Sequence, residues 1–183
     1  MKYITFINKQ GKIAAGWIDK DVVVDMHEAS NGELPADLVT FLEKEEASRG
    51  LVDKLADSLN IDDAGVYRKE EVDLLAPLPR PVSVRDFYAF EEHVKTARGK
   101  RGLDVVPEWY EIPVFYFSNH LAIKGPAEEV ARPENCEWLD YELEIACVIG
   151  KQGRNIPAAE ADDYIFGYCI MNDWSARDLQ QQE

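Results

Sequence analysis

The order of apolar and polar positions divides the chain into two regions. YITFIN, KIAAGWI and VVVD are short segments rich in β-branched and aromatic residues. A Gly-containing turn and an Asp-Lys-Asp turn separate them, which predicts a β-meander. Leu38, Phe41 and Leu42 follow Pro35 as one apolar stripe, and Leu51, Val52, Leu55 and Leu59 form another. Both stripes have helical spacing. Between Glu70 and Val84 the pattern changes to LLAPLPRPVSV, where Pro77, Pro79 and Pro81 fix φ and disfavour helix before them. This predicts an extended connector, with a small β-rich and helical module over 1–75 and a second domain over 76–183.

The second region opens with a predicted helix from about Phe87 to Ala97, ending near Gly99. PVFYF and LAI predict short strands, and LDYELEIACVIGK is the clearest strand in the chain. A short helix near Ala158 to Tyr164 and a strand through YCIMND follow. SARDLQQQE reads as the opening of another helix, with Ser175 as its cap.

Composition narrows the functional classes. With 183 residues, of which 46% are hydrophobic, the chain can bury a substantial core. Its formal charge, 20 − 35 = −15, argues against phosphate backbones and anionic lipid as partners. A small anionic substrate stays open, because local positive groups can overrule the global field. Cys136, Cys147 and Cys169 are odd in number and lack C-x-x-C spacing, so they read as reduced, mostly buried thiols. The N-terminus has no sustained apolar run of the signal-peptide kind, and no apolar run approaches the ~18 residues that a membrane span needs. The expectation is a cytoplasmic protein.

Candidate chemistry sits on the clearest strand. Side chains alternate faces along a strand, so Tyr141, Leu143, Ile145, Cys147 and Ile149 share a face suited to a core. Glu142, Glu144, Ala146 and Val148 share the other. Adjacent glutamates on one face repel unless water screens them or a cation neutralises them. A solvated sheet end and a metal site for a hard cation are both open on this pattern. Asp173 falls where a strand hands over to a helix, a usual place for a ligand and equally for a turn residue. Arg177 and Gln180 follow it by four and seven residues, at spacings that share a helix face. Asp86 and His93 are seven residues apart, nearly two helical turns, so one side of a helix would carry both. A histidine beside a metal-binding carboxylate can activate water; an exposed helical histidine is the plainer reading. Lys95, Arg98, Lys100 and Arg101 form a basic cluster, suited either to a substrate carboxylate or to a helix C-terminus. His27 and His120 read as structural or surface residues.

RDFYAFEEHV, VPEWYEIPVFYF, LDYELEIACVIG and NDWSARDLQ together resemble the fumarylacetoacetate hydrolase family over roughly residues 70–183. The module before residue 70 resembles the small domain that many members place first. The resemblance implies an α+β fold: a mixed β-roll catalytic domain, incomplete here, preceded by a small N-terminal α/β module. It implies Asp86, Glu142, Glu144 and Asp173 as ligands of Mg2+ or Ca2+, with Mn2+ a further candidate. It assigns water activation to His93, substrate or oxyanion contacts to Arg177 and Gln180, and substrate contacts to Tyr88 and Tyr116. The implied assembly is a homodimer.

The implied activity is metal-dependent hydrolysis of a C–C bond in a diketo acid of the fumarylacetoacetate or acylpyruvate type, in aromatic-compound catabolism. An isomerase or decarboxylase of 2-hydroxyhepta-2,4-diene-1,7-dioate type is the nearest alternative, and a non-catalytic metal-binding or assembly module is a third. The family's catalytic lysine lies downstream of NDWSARDLQ, so the chain is expected to be the N-terminal portion of a longer protein and inactive alone. Thr96, three positions after His93, stands where the short decarboxylase and acylpyruvate-hydrolase branch has glutamate, which points to the longer fumarylacetoacetase-like branch.

Overall fold

The computed structural model describes residues 1–181. In chain order the strands and helices begin with β1 (Lys2–Ile7), β2 (Ile13–Asp19) and β3 (Val22–Asp25). Helices α1 (Met26–Ala29), α2 (Leu38–Glu43) and α3 (Glu45–Ser58) come next, then β4 (Val66–Arg68) and β5 (Asp73–Leu74). The proline-rich stretch leads to β6 (Val84–Phe87), α4 (Glu91–Gly99) and β7 (Phe115–Ser118). The last group is β8 (Leu139–Asp140), β9 (Leu143–Ile149), β10 (Ile165–Asn172), β11 (Ser175–Ala176) and α5 (Arg177–Gln180). The fold is mixed α and β with antiparallel sheets, as expected. These elements group into two compact units, residues 1–78 with 124–183, and residues 79–123.

The first unit contains the meander. Five antiparallel strands lie in the order β4-β3-β2-β1-β5. Gly16 allows β2 to lie close to β3, since a Cβ there would fall 1.6 Å from the Val24 carbonyl oxygen. The predicted stripes become α2 and α3, and α2 starts where the Asp37 carboxylate accepts the Thr40 N–H at 2.8 Å. Ala15, Trp17, Val24, Met26, Leu34, Leu38, Phe41 and Val52 form the main buried cluster. Each large side chain removed from water there contributes about 1.5–3 kcal/mol.

The same unit holds the ladder of β9 with β10. Its register shifts between Ile165 and Gly167, a β-bulge at Phe166. A bulge re-aims the side chain it carries. The Phe166 ring packs on Tyr3 and Phe41, with centroids at 5.1 and 6.2 Å, and so joins β10 to the main core.

Several local expectations are corrected. Asp86 lies in strand β6 and His93 in helix α4, because the backbone stays extended through Phe87 and the helix starts only at Glu91. One helix face therefore does not carry both. Leu121–Ile123 is not a strand. The clearest strand is interrupted at Tyr141 and Glu142. Ser175 pairs in β11 with Asp140 instead of capping, and α5 begins two residues later with no side-chain cap. The expected helix over SARDLQQQE is described only as far as Gln181; Gln182 and Glu183 lie outside the described residues. Among the cysteines Cys136 is buried, Cys169 half-buried and Cys147 exposed.

The largest correction concerns β9. Tyr141, Leu143, Ile145, Cys147 and Ile149, expected in a core, are exposed, as are Tyr168 and Ile170 on β10. The half-buried face carries Glu144, Ala146 and Val148. Alternation sorted these residues into two faces correctly. Which face turned inward was settled by packing.

Candidate metal centre

Two strands of one ladder bring carboxylates together in the first unit. Met171 of β10 pairs directly with Glu144 of β9. Asp173 lies one residue beyond the strand, where its N–H donates to the Glu142 carbonyl at 3.0 Å. The period of two places Asp173 on the face of Met171 and Glu144. One carboxylate oxygen from Glu144 and one from Asp173 lie within 4.8 Å of each other, and both residues are half-buried. Two ionised carboxylates at that range repel by roughly 3–4 kcal/mol at an effective dielectric of about 20. Such a pair favours a cation or a proton between its oxygens. Hard oxygen donors of this kind suit Mg2+, Ca2+ or Mn2+ better than a soft metal.

Glu142 meets a different partner. The Arg177 guanidinium contacts Glu142 Oε1 at 2.6 Å through Nη2 and Asp140 Oδ2 at 3.1 Å through Nε. Its Nη1 donates to the Gln180 side-chain oxygen at 3.4 Å. Partial burial disfavours the charged guanidinium, but the hydrogen bonds and charges of Glu142 and Asp140 outweigh it and hold Arg177 more firmly protonated. The expectation that Arg177 and Gln180 share a helix face with Asp173 is corrected, since Asp173 precedes β11 and lies outside α5.

Further ties bind these segments. Arg177 N–H donates to the Trp138 carbonyl at 2.9 Å, and Glu142 N–H donates to the Asn172 side chain at 3.1 Å. Asp178 accepts the Glu137 N–H at 2.6 Å and the buried Cys136 thiol at 3.1 Å. Burial first, then the bond to Asp178, push the Cys136 thiol up, which keeps it a donor. Asp140 and Asp178 were not singled out from the sequence. A signal existed for Asp140, which stands two residues before Glu142, as Glu142 stands two before Glu144.

In the second unit Asp86 and Tyr116 face each other across the β6–β7 ladder, and the Tyr116 hydroxyl donates to Asp86 Oδ2 at 3.1 Å. Asp86 is buried at 9% exposure, unusual for a carboxylate at a sheet edge. Tyr88 follows on the same chain, its carbonyl accepting the Trp109 indole N–H at 2.7 Å. The exposed His93 ring stands edge-on to Tyr88, with centroids 5.6 Å apart. In the basic cluster Lys95 pairs with Glu91 and Glu92, and Arg98 donates to the Asp104 carbonyl. Both contacts belong to the end and flank of α4. No helix among the described residues is long and apolar enough to cross a membrane.

Comparison with known proteins adds to this geometry. The family described as fumarylacetoacetate (FAA) hydrolase C-terminal matches residues 83–183. Fumarylacetoacetase of Bos taurus is 34% identical over 119 residues, covering 54% of this chain and 28% of that protein. A mitochondrial oxaloacetate tautomerase of Bos taurus, FAHD2A, is 34% identical over 162 residues, covering 86% of this chain and 46% of that protein. The chain thus spans less than half the length of these relatives. Among solved structures, maleylpyruvate hydrolase from Sphingobium sp. SYK-6, in complex with manganese(II) and pyruvate, superposes with a TM-score of 0.68. Its identity is 21%, and the match covers 97% of this chain and 60% of that one, a likeness of fold.

Proposed function

The chain belongs to the fumarylacetoacetate hydrolase family, whose model matches more than half of it, and from that premise we propose that it serves a divalent-metal-dependent hydrolase cleaving a C–C bond in a diketo acid. The observation that carries this reading is the approach of Glu144 on β9 and Asp173 just beyond β10, two hard anionic donors in a half-buried setting. Asp86 and Glu142 complete the proposed ligand set with Glu144 and Asp173. The maleylpyruvate hydrolase with manganese(II) and pyruvate supports Mn2+ beside Mg2+ and Ca2+, and supports a 2-oxo acid as the substrate class.

When bound, the cation supplies Lewis-acid charge for the oxygens of a 1,3-dicarbonyl or 2-oxo acid. The chain's own residues do the rest. Arg177, with Gln180 beside it, offers N–H donors to negative charge developing on the substrate. The His93 imidazole takes a proton from the water that attacks the carbonyl. Tyr88 and Tyr116 contact the substrate, and the Tyr116 hydroxyl also holds Asp86 in place.

The test uses the protein that contains this chain, loaded with Mg2+ or Mn2+ and given fumarylacetoacetate or an acylpyruvate. Loss of substrate absorbance is expected, and His93→Ala should lower turnover at least 100-fold while Mn2+ still binds, as for loss of a general base. Unchanged turnover in that variant would remove His93 from the role. The tautomerase match over 86% of the chain favours a second reading, proton transfer beside a carbonyl without hydrolysis. Faster decay of enol-oxaloacetate, with no carboxylic acid released from diketo acids, would select it. Mn2+ binding with neither activity would point to an assembly module.

A further inference from the structure

We propose that Asp140 is a positioning residue that fixes the Arg177 guanidinium beside Glu142, so that Arg177 stays in place when Glu142 turns to a cation. The inference rests on the metal reading above and deepens it.

Asp140 is itself held at both oxygens. Oδ1 accepts the Tyr141 N–H at 3.0 Å, and Oδ2 accepts Arg177 Nε at 3.1 Å. Its backbone is held by the β8–β11 ladder, in which it pairs with Ser175, two residues before Arg177. The Arg177 backbone is tied to Trp138, two residues before Asp140. Both ends of the Asp140–Arg177 bond are thereby anchored in backbone structure.

The guanidinium is a planar fork, so fixing its Nε edge also fixes the direction of both Nη groups. Nη2 then meets Glu142 at 2.6 Å and Nη1 meets Gln180 at 3.4 Å. Glu142 alone would be an uncertain anchor, because the proposed function gives the same carboxylate to a divalent cation. An arginine held only by Glu142 would be released whenever that carboxylate turned away. Asp140 keeps the donors aimed at the place where substrate charge develops. A charge-assisted bond of this kind is roughly twice as strong as a neutral one.

The experiment uses the whole protein with Mn2+ and oxalate, a dianion that resembles a 2-oxo acid enolate. Asp140→Asn should weaken oxalate binding about tenfold and change the Mn2+ affinity less than about twofold, by calorimetry. Arg177→Gln should weaken oxalate similarly, and the double variant should be no weaker than Arg177→Gln alone. Arg177→Lys keeps the charge without the fork; it should also lose about tenfold, which decides the matter if Asp140→Asn does not fold. In metal-free protein, 15N spectra should show a slowly exchanging Arg177 Nε–H, assigned by its loss in Arg177→Lys, that Asp140→Asn also removes. Additive losses in the double variant, full oxalate affinity in Arg177→Lys, or loss of Mn2+ binding in folded Asp140→Asn would overturn the proposal. If the unaltered protein binds no Mn2+, the metal reading fails, and the Nε–H signal still decides whether Asp140 holds Arg177.

Discussion

In the proposed centre, Glu144 and Asp173 keep their negative charge for a cation. Glu144→Gln preserves shape and removes one charge. It should weaken Mn2+ binding at least about tenfold while leaving the metal-free melting temperature unchanged or raised, because the repulsion with Asp173 is relieved. Calorimetry and thermal unfolding measure the two effects separately, and a lowered melting temperature with intact Mn2+ affinity would reject the assignment. At this scale the sequence carried the E-x-E pair, Asp173 and Arg177, because each lies in a local pattern with a chemical meaning. It did not reveal that Arg177 binds Asp140 and Glu142. That pairing depends on a ladder between residues 35 positions apart.

Among the elements, the β9–β10 ladder and α5 carry or flank Glu142, Glu144, Asp173, Arg177 and Gln180 of the proposed centre. Ile170 is 82% exposed on the apolar face of the ladder, whereas Phe41 is fully buried in the N-terminal core. Ile170→Thr should therefore change the stability of the 183-residue chain by less than about 0.5 kcal/mol, and Phe41→Ala should cost about 3–5 kcal/mol. Denaturant unfolding checks both values. Helix α5 is fastened through Asp178, whose carboxyl is held below its ordinary value of 3.8 by the Glu137 N–H and then by the Cys136 thiol. A depressed carboxyl stabilises the fold above its unfolded value and loses that contribution as pH falls through the lower folded value. Slowed exchange of the Glu137 N–H should thus persist above pH 3.8 and disappear at more acidic pH. Asp178→Asn should remove the pH dependence of that protection.

At the scale of the whole chain, the formal charge of −15 over these 183 residues biases the approach of ions. At about 10 mM salt the screening length is about 30 Å, and at about 150 mM it is about 8 Å. Raising salt across that range should weaken Mn2+ binding and speed the association of an anionic ligand such as oxalate, since attraction and repulsion by the global field both fade. Stopped-flow mixing at several ionic strengths measures this, and an oxalate rate that falls with salt would show that local basic groups dominate. The chain also forms two compact units, with residues 124–183 grouped with the N-terminal 78. That grouping was not legible in the sequence, because Phe166 joins Tyr3 and Phe41 across more than a hundred residues.

By itself the sequence determined the strand-rich N-terminal meander, two of its helices, the alternation of β9 and the types of residue available for chemistry. These are local properties: side-chain period, turn chemistry and backbone preference act over a few residues. The same locality explains its errors, since Asp86 and His93 fit a helical spacing that the extended backbone at Phe87 does not adopt. Only the tertiary structure decided that the glutamate face of β9 turns inward, and that Glu144 meets Asp173 while Glu142 meets Arg177. Facing and pairing are set by what packs against an element. In this chain the partners that decide them come from distant positions, where no local pattern reaches.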